Sequence, residues 1–248
     1  MNPLRALLLG VAAYGVFLVA TIPATVVASR IAVASGGQLT LTNASGTAWN
    51  GAARAAVATG GSTLPLDEVR WRFLPSRLAA GRIAFSVEAR AGDLHARAEA
   101  SRSPLAWRID DLDANGSAAF LAPLVPLASA WQPAGTLAIQ APSLAWDGTN
   151  ASGSATAEWR DGTLALSEAR PLGSWRVQAT AEGPAVRFAL ATMRGPLRLS
   201  GNGTLAIPGR LAFSGEARAE SGRESELEPV LALFGPRRPD GARALELR

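Results

Sequence analysis

The sequence predicts a mainly β protein, in which a single N-terminal transmembrane helix precedes a curved, largely antiparallel β-sheet with one or two short packed helices. Three observations support this fold class. Residues 6–29 form an apolar run without a charged side chain. The rest of the chain alternates apolar and polar residues in short runs separated by Gly, Asn, Asp or Pro, which is typical of half-buried strands. Two apolar stretches, residues 121–131 and 224–234, break this alternation and predict the helices.

The apolar run predicts where the rest of the chain lies. At about 1.5 Å of rise per residue, roughly 20 apolar residues span a bilayer core of about 30 Å. Arg5 is the only charged side chain before the run, and positive charge stays on the cytoplasmic side. We therefore expect a cytoplasmic tail over residues 1–5, a transmembrane anchor over residues 6–29 and a β-rich domain beyond the membrane over residues 30–248. Pro23 is expected to end or kink the helix near its outer end.

A cleaved signal peptide is the alternative interpretation of this run. Signal peptides carry a shorter apolar region, roughly 7–15 residues, and a small-residue cleavage site. Val26 and Ala28 would allow cleavage after Ala28. The greater length of the run favours an uncleaved anchor, and both interpretations place residues 30–248 across the membrane.

Composition argues against several kinds of chemistry. The chain has no Cys and one histidine, His95, which leaves no thiol nucleophile and too few preferred ligands for a transition metal. All 24 basic residues are Arg, the net charge is +4, and the tightest pair, Arg237-Arg238, is too small for a nucleic-acid surface. We expect no catalytic, cofactor or metal site, and hence no enzyme. His95 is expected on the polar face of its strand.

The alternating runs place one apolar face on each predicted strand, as antiparallel sheets require. The clearest runs cover residues 38–42, 83–90, 175–180, 186–190 and 211–218. The tetrapeptide Gly-Thr-Leu-Ala occurs at 135–138, 162–165 and 203–206, and each copy is expected to open a strand, either as a weak repeat or as a common turn phrase.

Residues 111–116, Asp-Leu-Asp-Ala-Asn-Gly, match the first half of a calcium-binding loop. Ala122 stands where such a loop needs its bidentate Glu. We therefore expect a strand that ends in an Asx turn or an Asn-Gly turn instead.

Three motifs occur in order in the first third of the chain. Residues 20–24 read Ala-Thr-Ile-Pro-Ala, residues 45–51 read Ser-Gly-Thr-Ala-Trp-Asn-Gly, and residues 71–75 read Trp-Arg-Phe-Leu-Pro, followed by Gly-Arg at 81–82. In these motifs the chain resembles type II secretion system protein N, also called general secretion pathway protein N. The motif residues are Gly46, Thr47, Trp49, Gly51, Trp71, Pro75 and Gly81. Their chemistry predicts structural roles, because Trp buries a large area and Gly permits tight turns.

This resemblance implies a non-enzymatic inner-membrane component of Gram-negative bacteria. Such a component takes part in the export of folded proteins across the outer membrane and contacts other inner-membrane platform proteins. Its N-terminus is expected in the cytoplasm and its bulk in the periplasm. A weaker resemblance to AsmA-like inner-membrane proteins implies an alternative, a half-barrel that binds or transports lipid in an apolar groove. A scaffold needs a packed interior, whereas a lipid conduit needs an open apolar trough of several hundred Å².

Overall fold

A computed structural model describes residues 3–59, 62–121, 131–167, 169–207 and 209–247. Within these ranges, thirteen antiparallel strands form one curved, open sheet in chain order. The strands are β1 Leu39–Gly46, β2 Asn50–Thr59, β3 Ser62–Phe73, β4 Ile83–Ala91, β5 Leu94–Arg102, β6 Trp107–Ser117, β7 Ala134–Trp146, β8 Ala151–Thr163, β9 Gly173–Gly183, β10 Ala185–Arg194, β11 Leu197–Ala206, β12 Arg210–Ala219 and β13 Arg243–Leu247. The prediction of a curved, largely antiparallel sheet is confirmed.

The strand register collects apolar side chains on one face of the sheet. Trp159 lies opposite Trp175 across β8 and β9, and on the same face Phe73 lies opposite Phe85 across β3 and β4. The pairs next to them, such as Glu158 opposite Arg176 and Arg72 opposite Ser86, lie on the other face and are charged or polar. We call these the apolar face and the polar face. The five clearest alternating runs coincide with β1, β4, β9, β10 and β12, although the first run starts one residue before β1. His95 is exposed in β5.

Three α-helices accompany the sheet in the described ranges: α1 Pro3–Ala20, α2 Ala24–Ala34 and α3 Glu224–Leu231. Two 3-10 turns cover Pro75–Ala80 and Ala118–Leu121. The predicted interruption at Pro23 is confirmed, since its extended ψ of 148° separates α1 from α2. The expected single helix over residues 6–29 is therefore two helices. Among the helices that the structure describes, none is both long enough and apolar enough to cross a membrane.

Two apolar clusters cover opposite parts of the apolar face. Under α2, buried Ala24, Ala53 and Trp71 pack with partly buried side chains of β1 and β4. Under α3, buried Leu227 and Val230 pack on the first residues of β9 and β11. The helix predicted at 224–234 is thus confirmed, ending at Leu231. Most of the helix predicted at 121–131 lies outside the described residues.

Two local predictions are wrong. Of the Gly-Thr-Leu-Ala copies, only the first opens a strand; the others fall at the ends of β8 and β11. Residues 111–116 end neither in an Asx turn nor in an Asn-Gly turn but continue β6 as far as Ser117. Asp111, with φ 52°, lies in a bulge opposite β5, where Glu99 pairs with Asp110 but Arg97 pairs with Asp113. The bulge absorbs one residue and the strand goes on.

The meander brings alternate turns to the same end of the sheet. The turns after β1, β3, β5, β7, β9 and β11 lie along one edge. The junction of α1 and α2 lies there too, because Pro23 pairs with Thr47 in the first of these turns. We call this end the α1 edge, and the opposite end, where α3 packs, the α3 edge.

Candidate functional site

The predicted motif residues lie in the first two turns of the α1 edge and in the strands that lead to them. Gly46, Thr47 and Trp49 form the β1–β2 turn, and Gly51 and Trp71 face one another in β2 and β3. In the next turn, Pro75 begins the 3-10 helix and Gly81 ends it with φ 68°. The structure therefore brings the separate motifs into one region.

The β1–β2 turn is closed by the hydroxyl of Thr47. The backbone N–H groups of Trp49 and Asn50 donate to its Oγ1 at 3.3 and 3.1 Å. Thr47 N–H donates to the Asn50 carbonyl at 2.9 Å. Gly46 has φ 85°, and a Cβ there would lie 2.5 Å from the same carbonyl oxygen. The turn therefore requires both Gly46 and Thr47.

This turn binds the end of α1. Ala48 N–H donates to the Ile22 carbonyl at 2.8 Å, and the Trp49 indole Nε1–H donates to the Val19 carbonyl at 2.7 Å. Val19 lies in the last turn of α1, whose carbonyls lack helical partners, and the indole adds a short bond there to the long one, 3.4 Å, from the Ile22 N–H. We call the contact between residues 19–24 and residues 47–49 the helix joint. It explains why two motifs separated in the sequence occur together.

Trp71 forms the floor of the helix joint. It is 8% exposed, and its indole Nε1–H donates to the Ala48 carbonyl at 3.2 Å. Its ring lies over Gly51, where a Cβ would stand 2.5 Å from Trp71 Cζ2. Trp49 packs edge-on against Phe73, with ring centroids 5.1 Å apart. The joint thus rests on a cluster of aromatic rings in the first strands and their turn.

A second candidate site is an apolar groove of about 380 Å³ on the apolar face, near the α1 edge. Its described lining residues come from β6 to β10. The large ones are Trp107, Ile109, Leu144, Trp146 and Val186. Alanine and glycine residues of β8 and β9 form its floor, and the groove is deep there because these residues are small. The sequence analysis did not locate this groove.

Charged residues on the polar face form ion pairs. Glu158 accepts from Arg160 Nε at 2.8 Å and from Arg176 Nε at 2.7 Å, and these bonds hold the pKa of its carboxyl below its usual range. In the β7–β8 turn, the N–H groups of Asn150 and Thr149 donate to Asp147 and lower its pKa as well. These carboxyls are held ionised by their partners, which cross-links strands and closes a turn.

A polar cavity that the sequence analysis missed lies where β4 to β6 meet the α1 edge. Arg82, Ser101 and Arg108 line about 370 Å³. Asp110 lies 3.6 Å from Arg82 and 3.8 Å from Arg108, so it offsets part of their charge. Ser101 is 2% exposed, and its Oγ has no hydrogen-bond partner among the described residues. Nothing in the alternating sequence distinguishes these residues from other strand positions.

Comparison with known proteins gives one match. A protein-family model described as "Type II secretion system (T2SS), protein N" matches residues 37–246. The matched part begins after α2 and contains the sheet up to Glu246 of β13. No curated protein and no solved structure matches the chain.

Proposed function

This chain belongs to the family of type II secretion system protein N, and from that premise we propose that it is a non-enzymatic inner-membrane component of the system. It takes part in the export of folded proteins through contacts with other inner-membrane platform proteins. Residues 1–5 lie in the cytoplasm, the α1 part of the expected 6–29 anchor lies in the membrane, and the sheet stands in the periplasm.

The helix joint is the observation that supports this proposal most. Leu9, Val11, Val16 and Phe17 of α1 are each more than 60% exposed. A helix that is apolar on all sides needs an apolar environment, which a bilayer supplies. Because the joint ties α1 to β1 and β2, it sets the orientation of the sheet relative to the helix. A scaffold needs this, since its partner surface has to be presented at a defined angle.

The non-enzymatic assignment is supported by what the charged groups do. The carboxyls with lowered pKa, Glu158 and Asp147, are occupied by arginine or by turn amides. A general acid or base works best with a pKa near the operating pH. These two are shifted away from it.

Secretion in a strain that lacks this gene tests the proposal. We expect export of folded substrates and assembly of the platform to fail, and the wild-type chain to restore both. Trp49→Ala, which removes the joint bond to α1, should restore export poorly. Leu233→Ala, at a residue 43% exposed beyond α3, is the matched control and should restore it fully. Normal assembly and full export in the deletion strain would overturn the proposal.

A second candidate function, lipid binding, is favoured by the open apolar groove lined by Trp107, Leu144 and Trp146. We propose it as the alternative, with an acyl chain as the occupant. Lipids that co-purify with the full chain in native membrane particles test it. Lipid enriched over the bulk membrane, and lost with Leu144→Gln, would support binding; bulk lipid in both proteins would reject it.

A further inference from the structure

Large exposed apolar side chains gather along the α1 edge of the sheet. Six of them, which we call the apolar rim, are between 36% and 84% exposed: Ile83, Leu105, Trp107, Trp146, Leu205 and Leu211. Each lies in a turn of the α1 edge or within two residues of one. Singly exposed apolar residues are ordinary, but a row of them along one edge marks an interaction surface.

The rim is continuous because its strand members share the apolar face. Trp107 lies directly opposite Trp146 across β6 and β7. Further along, Leu205 lies opposite Leu211 across β11 and β12. The floor residues of the apolar groove lie between these two pairs. The rim therefore extends from β4 to β12, and the groove opens onto it.

The helix α1 meets the sheet at the same edge. Through the helix joint, its last turn is bonded to Trp49 in the β1–β2 turn. The rim therefore lies along the same end of the sheet as the end of α1, the proposed anchor. We propose that the apolar rim is a membrane-contact surface, which lies against the bilayer that holds α1. This inference rests on the proposed inner-membrane placement.

The composition of the rim fits a lipid surface. Trp concentrates at membrane interfaces, where its ring is apolar and its N–H remains hydrated. The Arg102 guanidinium lies 4.5 Å from the centre of the Trp107 ring, and Arg108 and Arg210 are exposed at the same edge. Arginine binds phosphate oxygens in bidentate geometry. These side chains could therefore bind lipid phosphates while the neighbouring Trp rings enter the membrane interface.

Because the chain has no cysteine, one introduced cysteine reports on one position. We would label Leu105→Cys at the rim, with Leu166→Cys as the matched control. Both are exposed leucines in turns, but Leu166 lies at the α3 edge. Leu9→Cys in α1 reports on the anchor itself. Each full-length protein is reconstituted into vesicles of phosphatidylethanolamine and phosphatidylglycerol that contain a nitroxide-labelled lipid quencher.

We expect the nitroxide lipid to quench the labels at 9 and 105 at least about twofold, and the label at 166 hardly at all. Quenching at 9 with none at 105 would overturn the rim contact and leave the anchor standing. Equal quenching at 105 and 166 would also overturn it, since the contact would not be specific to the edge. No quenching at 9 would instead contradict the anchor of the proposed function.

Discussion

At the scale of single residues, the helix joint depends on a close approach at Gly51. The Trp71 ring and the backbone of the β1–β2 turn pass so near that a Cβ would lie 2.5 Å from Trp71 Cζ2 and 2.8 Å from the Ser45 carbonyl oxygen. Trp71 is buried, and its indole is bonded to Ala48, so it cannot swing away without loss. The glycine of the motif is therefore explained by contact distance.

We predict that Gly51→Ala lowers the free energy of unfolding by about 1–3 kcal/mol through overpacking. Urea unfolding of the full-length protein in detergent, followed by Trp fluorescence, measures the change. Gly15→Ala in α1 is the control, because a Cβ there meets open space. An unchanged unfolding midpoint for Gly51→Ala would show that the ring shifts without cost.

Glu158 makes the stability of the sheet depend on pH. Arg160 and Arg176 hold its pKa in the folded state below the ordinary value of 4.5. As the pH falls, the unfolded chain takes up the proton first, so the stabilisation is present above that value and is lost as the pH falls through the folded-state pKa.

Glu158→Gln should therefore lower stability at neutral pH and flatten its decline in acid. The free energy of unfolding in urea, measured from neutral to acidic pH, tests this. Glu182→Gln, at an exposed pair with Arg187, is the matched control and should keep the acid decline. A Glu158→Gln protein with the wild-type pH profile would contradict the assignment.

At the scale of elements, α3 is a cover for the apolar face. Leu227, Val230 and Leu231 are all buried, at the i, i+3 and i+4 positions that place them on one side of a helix. They pack over Leu172 and Trp175 at the start of β9. The sequence predicted this helix because the apolar stretch at 224–234 breaks the alternation of the strands.

Leu227→Ala is expected to reduce the free energy of unfolding by about 2–5 kcal/mol, since it leaves a cavity in a buried cluster. Leu233→Ala changes the same residue type two residues beyond the helix, where it is 43% exposed, and should have little effect. Equal urea midpoints for the two variants would mean that α3 does not stabilise the sheet.

The helix joint can be loosened without removing its ring packing. Trp49→Phe keeps an aromatic ring near Phe73 but deletes the N–H that donates to Val19, a loss of about 0.5–1.5 kcal/mol. The backbone amides of Thr21, Ile22 and Ala24 should exchange with deuterium faster. Trp146→Phe, at the same edge but far from α1, should leave that exchange unchanged. Wild-type protection in Trp49→Phe would show that the indole bond does not hold the joint.

Strands were the elements that the sequence predicted best, because a period of two is a local pattern. Predictions from local sequence were wrong where the result depends on how neighbouring strands pair. The same Gly-Thr-Leu-Ala phrase begins β7 and ends β8 and β11, so it carries no information on strand direction. The bulge at Asp111 follows from pairing with β5, which no single segment encodes.

At the scale of the whole molecule, the curved antiparallel sheet and the family were predictable, and the arrangement of the sites was not. The motifs at 20–24 and 45–51 could be recognised separately in the sequence. Their contact could not be predicted, because it depends on how α1 and α2 fold back on β1. The groove and the apolar rim depend on a register that accumulates over nine strands, from β4 to β12. The type II secretion family is shown by the match over residues 37–246.

The central claim is that this chain is a membrane-anchored scaffold within the secretion platform. Isolation of the full-length protein in detergent-free native membrane particles, with its partners identified and counted, tests the claim most directly. We predict that inner-membrane platform proteins are recovered in a fixed ratio, and that Trp49→Ala lowers their recovery. Recovery of the chain without platform proteins, from membranes in which the platform is assembled, would contradict the claim.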